Sequence, residues 1–218
     1  MNEFTEKLRA SIKGSYVIYI DAANLERSVQ DMFVRPDDIP ESLRHMQANT
    51  LCWSVDYQQF NAFFTSLGAL QAIHFYTAAF STPSHSKFMY FLRKGLRFHL
   101  ITKPLKEYQD HTREVPHRKA NFDVEIAVDA THSLDDFDTM ILFSGDSDFE
   151  YLIKFLRGQS KVVLGFSRSG HVAKELPPAL SHYFDIANFR SLFLKVKIKS
   201  EHPHDAKNPA SFDTGSRS

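Results

Sequence analysis

Two carboxylates stand two residues apart just after an apolar run: Ser144-Gly145-Asp146-Ser147-Asp148-Phe149 follows Thr139-Met140-Ile141-Leu142-Phe143. The run has the length and the β-branched and aromatic content of a buried strand. The two acids therefore fall at the carboxyl end of a strand, where open α/β sheets gather their ligands. A second such junction is Ile20-Asp21-Ala22-Ala23-Asn24, after Tyr16-Val17-Ile18-Tyr19-Ile20. A third acid, Asp123, opens a helical stretch that continues through Glu125 to Asp129. If the two strands are neighbours, Asp21, Asp123, Asp146 and Asp148 converge. Clustered carboxylates repel one another, and a hard divalent cation, Mg²⁺ or Mn²⁺, relieves that repulsion. Such a cation holds a phosphodiester and acidifies an attacking water. Each acid also has a plainer role, since Asp terminates strands and caps helices; it is the conjunction that points to a metal site. Asp129 lies six residues beyond Asp123, about 120° around the helix, and is the weakest candidate.

The elements that must position these acids alternate along the chain. Strands are expected at 16–20, 72–76, 96–102, 139–143, 161–166 and 183–186. Helices are expected from near Asn24, around Phe60–Leu67, around Phe88–Leu92, over 121–133 and over 148–157. Residues 35–55, with Pro36, Asp37, Asp38 and Pro40, read as an irregular insertion. This order predicts an α/β fold with a mostly parallel sheet covered on both faces. Residues 1–14 read as an amphipathic lead-in, 15–199 as the domain, and 200–218 as a polar tail too poor in apolar residues to order itself.

The 218 residues balance 26 Lys and Arg against 26 Asp and Glu, so any nucleic-acid partner must meet a local basic patch. The lone cysteine, Cys52, excludes an intrachain disulfide and a Cys-rich metal site and fits a reducing compartment. With a polar amino-terminal segment and no membrane-length apolar run, the chain reads as soluble and cytoplasmic. Lys103, Lys106, Arg113, Arg118 and Lys119 lie in one polar stretch beside the acidic helix, with His111, His117, Tyr108 and Phe122. Cations there would take phosphates and the aromatic rings would take bases; the plain alternative is a solvated loop. The histidines lack the spacing of a zinc site. A phosphatase using an aspartyl nucleophile needs a second Asp two residues after the first, where Ala23 stands. No Gly-x-Gly-x-x-Gly follows the first strand, which argues against dinucleotide binding.

The three motifs in this order, Asp21-x-x-Asn24, Lys119-x-x-x-Asp123-x-x-x-x-x-Asp129 and Ser144-Gly145-Asp146-Ser147-Asp148, resemble the NYN domain family (the LabA-like group) of the PIN-like nucleases, from about residue 15 to 187. The resemblance implies a Rossmann-like three-layer α/β/α fold and a divalent-metal site. Asp21, Asp123, Asp146 and Asp148 would be the metal-binding and catalytic set, supported by Asn24, Ser144 and Lys119. It implies hydrolysis of RNA, most simply single-stranded, by metal-activated water with Mg²⁺ or Mn²⁺. Lys103, Lys106, Arg113, Arg118 and Lys119 would bind the substrate. The alternative is a non-catalytic RNA-binding or regulatory protein that kept the fold. Phe-rich helices and the insertion at 30–60 offer surface for a second copy or another protein.

Overall fold

The computed structural model describes residues 3–104 and 120–199, with the backbone alone of residues 106–108 and 117–119. Helix α1 (Glu3–Ser11) precedes strand β1 (Ser15–Asp21), whose five central residues are all buried, and helix α2 (Ala22–Gln30). Three short 3-10 turns fill residues 36–50. Strand β2 (Leu51–Val55) leads into helix α3 (Tyr57–Thr65) and the long strand β3 (Ala69–Ala79). Helix α4 (Pro83–Tyr90) runs on into a π turn, Phe91–Gly95, and strand β4 (His99–Pro104). Strands β5 (Lys106–Tyr108) and β6 (His117–Lys119) pair antiparallel as a ribbon, so the polar stretch is not a simple loop. Helix α5 (Asp123–His132), strand β7 (Thr139–Phe143), helix α6 (Glu150–Gly158) and strand β8 (Val162–Ser167) follow. Helix α7 (Leu176–Ala179), strand β9 (His182–Asp185), helix α8 (Arg190–Phe193) and strand β10 (Leu194–Ile198) complete the described chain.

The main sheet has the order β4-β3-β1-β7-β8-β9, all parallel, with β1 between β3 and β7. Order reverses where the chain leaves β1, which puts a crevice at the carboxyl ends of β1 and β7. Period-2 alternation divides the core. Tyr16, Ile18, Ile20, Phe75, Phe143 and Phe166 face α2, α3 and α8. Val17, Tyr19, Tyr76, Met140 and Leu142 face α5, α6 and α7. The three-layer expectation is met.

Two expectations fail locally. Residues 51–55 are not irregular: they pair antiparallel with 194–198, and Trp53 is buried with its Nε1 donating to the Phe33 carbonyl at 3.2 Å. The partner lies some 140 residues on, beyond any local pattern. The third strand starts at His99 rather than Leu96, because Leu96 and Phe98 donate their N–H groups back to Phe91 and Leu92 across the π turn, with Arg97 at φ 60°. The lead-in is a helix whose Leu8 joins the core. The expectation for residues 200–218 falls outside the described residues.

Candidate metal centre

Each acid is delivered by the end of a buried element. Alternation carried one residue past Ile20 turns Asp21 toward the α5 face, in register with Tyr76. Asp21 then caps α2, its Oδ1 accepting from the Asn24 N–H at 3.2 Å. Just past the neighbouring strand, Ser144 is buried and its Oγ accepts from the Asp146 N–H at 3.2 Å. Asp146 caps the next turn, with Oδ1 accepting from the Asp148 N–H at 3.2 Å. Asn24 ties the two junctions together: its Oδ1 accepts from the Gly145 N–H at 2.9 Å. Gly145 has no room for a side chain, since a Cβ there would lie 2.4 Å from the His171 carbonyl oxygen and 2.6 Å from Ser167 Oγ.

The third wall is the start of α5. Phe122 is buried against Tyr76, ring centroids 5.9 Å apart, and anchors the helix entry. Asp123 is the first helical residue, its N–H donated to Asn121 Oδ1 at 3.0 Å. One carboxylate oxygen each from Asp123, Asp146 and Asp148 then lie within 4.8 Å of one another. The donor set is all carboxylate oxygen, with no thiolate or imidazole, which is the chemistry of Mg²⁺ and Mn²⁺ rather than zinc. Capping uses one oxygen of Asp146, the Oδ1 that accepts from the Asp148 N–H.

Asp21 is outside that trio but inside its field. Its pKa is pushed up to about 6, first by burial, then by the charges of Asp123 and Asp146, against the N–H groups of Asn24 and Ala23 that favour its ionised form. Glu26, in α2, is raised as well, by burial and then by Asp21, with Lys197 opposing. Sequence reasoning passed over Glu26; the available signal was a second acid within the helix that Asp21 caps.

The remaining candidates divide. Asp129 turns away from the trio and accepts from the Tyr76 hydroxyl at 2.7 Å. Burial and that hydrogen bond hold the phenol protonated. Lys103 sits at the end of β4, 2.7 Å from Glu125 Oε1 and 4.6 Å from the Phe122 ring centroid, so it borders the acidic helix. Arg113 and His111 lie outside the described residues, as do the side chains of Lys106, Tyr108, His117, Arg118 and Lys119.

Comparison with known proteins agrees with this architecture. The family model for the NYN domain matches residues 15–187. Low amplitude and bright protein LabA from Synechococcus elongatus is 35% identical over 104 residues, which cover 47% of this chain and 56% of LabA. The chain thus spans a little over half the length of that curated relative. The crystal structure of a protein of unknown function from Vibrio parahaemolyticus matches with a TM-score of 0.59 at 23% identity, covering 80% of this chain and 93% of that one, and shares the fold.

Proposed function

The chain belongs to the NYN domain family, PIN-like in fold, and from that premise we propose that it is a divalent-metal-dependent ribonuclease. It hydrolyses RNA phosphodiester bonds with water as the nucleophile and forms no covalent enzyme intermediate. The observation that carries this reading is the convergence of Asp123, Asp146 and Asp148 within 4.8 Å at the carboxyl edge of the sheet. When bound there, Mg²⁺ or Mn²⁺ would supply a water of lowered pKa and neutralise charge on the phosphate. Asp123 and Asp146 would hold the ion, and Asp148 would hold it or orient the water. Asp21 completes the acidic wall from the neighbouring strand. Asn24 and Ser144 fix the two junctions, and Lys103 stands where an incoming phosphate passes. Lys106, Arg113, Arg118 and Lys119 belong to the same reading as substrate-binding groups.

The domain is taken as residues 15–199. A cytoplasmic setting suits the buried free thiol of Cys52. Among the described residues no helix is long and apolar enough to cross a membrane. The test is cleavage of a labelled mixed-sequence single-stranded RNA in Mn²⁺, Mg²⁺ or EDTA, with Asp146→Asn in parallel. Cutting that needs metal and vanishes in the folded variant is the expected result. Cutting that persists in Asp146→Asn or in EDTA refutes the assignment. A folded protein that retains RNA without cutting it under any metal points instead to the binding or regulatory role.

A further inference from the structure

Residues 57–106 contain no Asp or Glu, in a chain with 26 of them, yet carry six Lys and Arg. The neutral total thus conceals one positive flank, on the edge of the sheet formed by β3, α4, the π turn and β4. Lys87, Arg93, Lys94 and Arg97 are all exposed there, and none has an ion-pair partner among the described residues. Tyr90 and Phe91, between them in sequence, are exposed as well. Arg93 and Lys94 ride on a π turn, and Arg97 holds φ 60°, a left-handed conformation at which glycine is the usual residue.

A cleft of ≈ 580 Å³ opens beside this flank, lined by Arg93, His99, Asp129 and His132 among others. His74 and His99 line it too, as the outer rings of a ladder running outward from the core. Buried Tyr19 stacks on His74, centroids 4.7 Å apart and 6° from parallel, and His74 stacks on exposed His99 at 5.0 Å and 26°. Paired register across β1, β3 and β4 holds the three rings in line. The ladder ends on the exposed imidazole of His99, which lines the cleft together with the Arg93 guanidinium, and a ring beside a guanidinium is the combination that takes a stacked base and its phosphate.

The flank is continuous with the carboxylate cluster. From His99 to Lys103, β4 spans about 13 Å, and Lys103 lies against Phe122 and Glu125, which flank Asp123 at the start of α5. Helix α5 runs alongside, with Asp123 in the cluster at one end and His132 in the cleft at the other. We propose that single-stranded RNA leaves the acidic cluster along β4 and lies on this flank. Its phosphates contact Arg93, Lys94 and Arg97, and one base stacks on His99. The proposal rests on the ribonuclease reading for its ligand and adds where that ligand runs.

The test is fluorescence anisotropy of a labelled single-stranded RNA in EDTA, so that binding is read without cleavage, across a salt series. The Arg93→Glu/Lys94→Glu double variant is expected to bind at least tenfold more weakly. Its log–log salt slope should be shallower by about 1.4, the release expected for two single-strand phosphates. His99→Ala is expected to lose fivefold or more while His99→Phe retains binding, as stacking requires. Lys7→Glu, an exposed cation on α1 near the opposite edge, should bind as the unmodified protein does. Wild-type affinity and slope in the double variant overturn the proposal, as does failure of the unmodified protein to bind RNA. Metal-dependent cutting alongside an unaffected double variant sinks this path alone. Retention on this flank without cutting sinks the ribonuclease reading alone.

Discussion

Replacing Asp21 by Asn isolates the electrostatic cost of assembling the acidic site. In the metal-free protein the Asp21 carboxyl has a pKa of about 6, against 3.8 as its ordinary value. Below pH 3.8 the group is protonated in both folded and unfolded chains, and the site costs nothing through this residue. Between 3.8 and 6 the unfolded chain ionises first, and folding becomes steadily less favourable. Above 6 the cost is constant, about 2 units at 1.36 kcal/mol each, or about 3 kcal/mol at most. Asn cannot ionise, and its carbonyl can still accept the capping bond from the Asn24 N–H. Asp21→Asn is therefore expected to stabilise the metal-free protein by about 1–3 kcal/mol at pH 8 and to leave it nearly unchanged at pH 4. Urea unfolding in EDTA at both pH values measures this directly. Adding Mn²⁺ at about 100 times its Kd should stabilise the unmodified protein by about 2.7 kcal/mol and the variant by less. A variant no more stable than the parent at pH 8, or a gain independent of pH, refutes the reasoning.

Two further substitutions follow from the same geometry. His74 has its pKa pulled down to about 4 from 6.5, chiefly by burial and then by the charge of His99. Its contribution has the opposite sign: stability is lost as pH falls from 6.5 toward 4, by up to about 3 kcal/mol. Asp21 and His74 slope in opposite directions over nearly the same range, so their two contributions largely cancel between pH 4 and 6.5 in the parent. His74→Phe should unmask a fall in stability with rising pH, and Asp21→Asn a rise; unfolding midpoints across that range would show either. Gly145→Ala would drive a methyl group onto backbone at His171. It should cost about 1–3 kcal/mol by the usual scale of overpacking and weaken Mn²⁺ binding in a titration followed by calorimetry. An unchanged Kd would show that the junction tolerates displacement.

What could be read from the chain was whatever repeats locally. Apolar runs such as Tyr16–Ile20 and Thr139–Phe143 announce buried strands, and the acid at each end fixes which edge carries the chemistry. The neighbour relation of β1 and β7, only conditional in the sequence, brings Asp21 and Asn24 beside the Asp146 turn, while the packing of α5 against that turn brings Asp123 to Asp146 and Asp148. Strand β2 was illegible because its partner β10 is distant and its own five residues follow a Pro- and Asp-rich segment. Asp129 was ambiguous for a related reason. A helical wheel shows that it leaves the face of Asp123, but only the fold shows Tyr76 waiting for it. The ring ladder was invisible because Tyr19, His74 and His99 meet through strand pairing and share no spacing in the chain.

The acidic site and the aromatic core are two sides of one energetic arrangement. Burying Asp21, and then setting it beside Asp123 and Asp146, costs the fold stability once the carboxyl ionises, as its raised pKa records. That cost is sustainable because the opposite face of the sheet is filled by interlocked rings. Phe143 stacks on Phe166 at 4.7 Å, and Phe60 and Phe64 pack edge or tilted against Phe143. Phe143 immediately precedes Ser144 and lies three residues before Asp146, so the residue that anchors the core also fixes the start of the acidic turn. Truncating Phe143 would therefore affect stability and geometry together, whereas Asp21→Asn affects the charge with the scaffold intact. For that reason the carboxylate substitution, with its sign set by pH, separates the site from the fold that carries it.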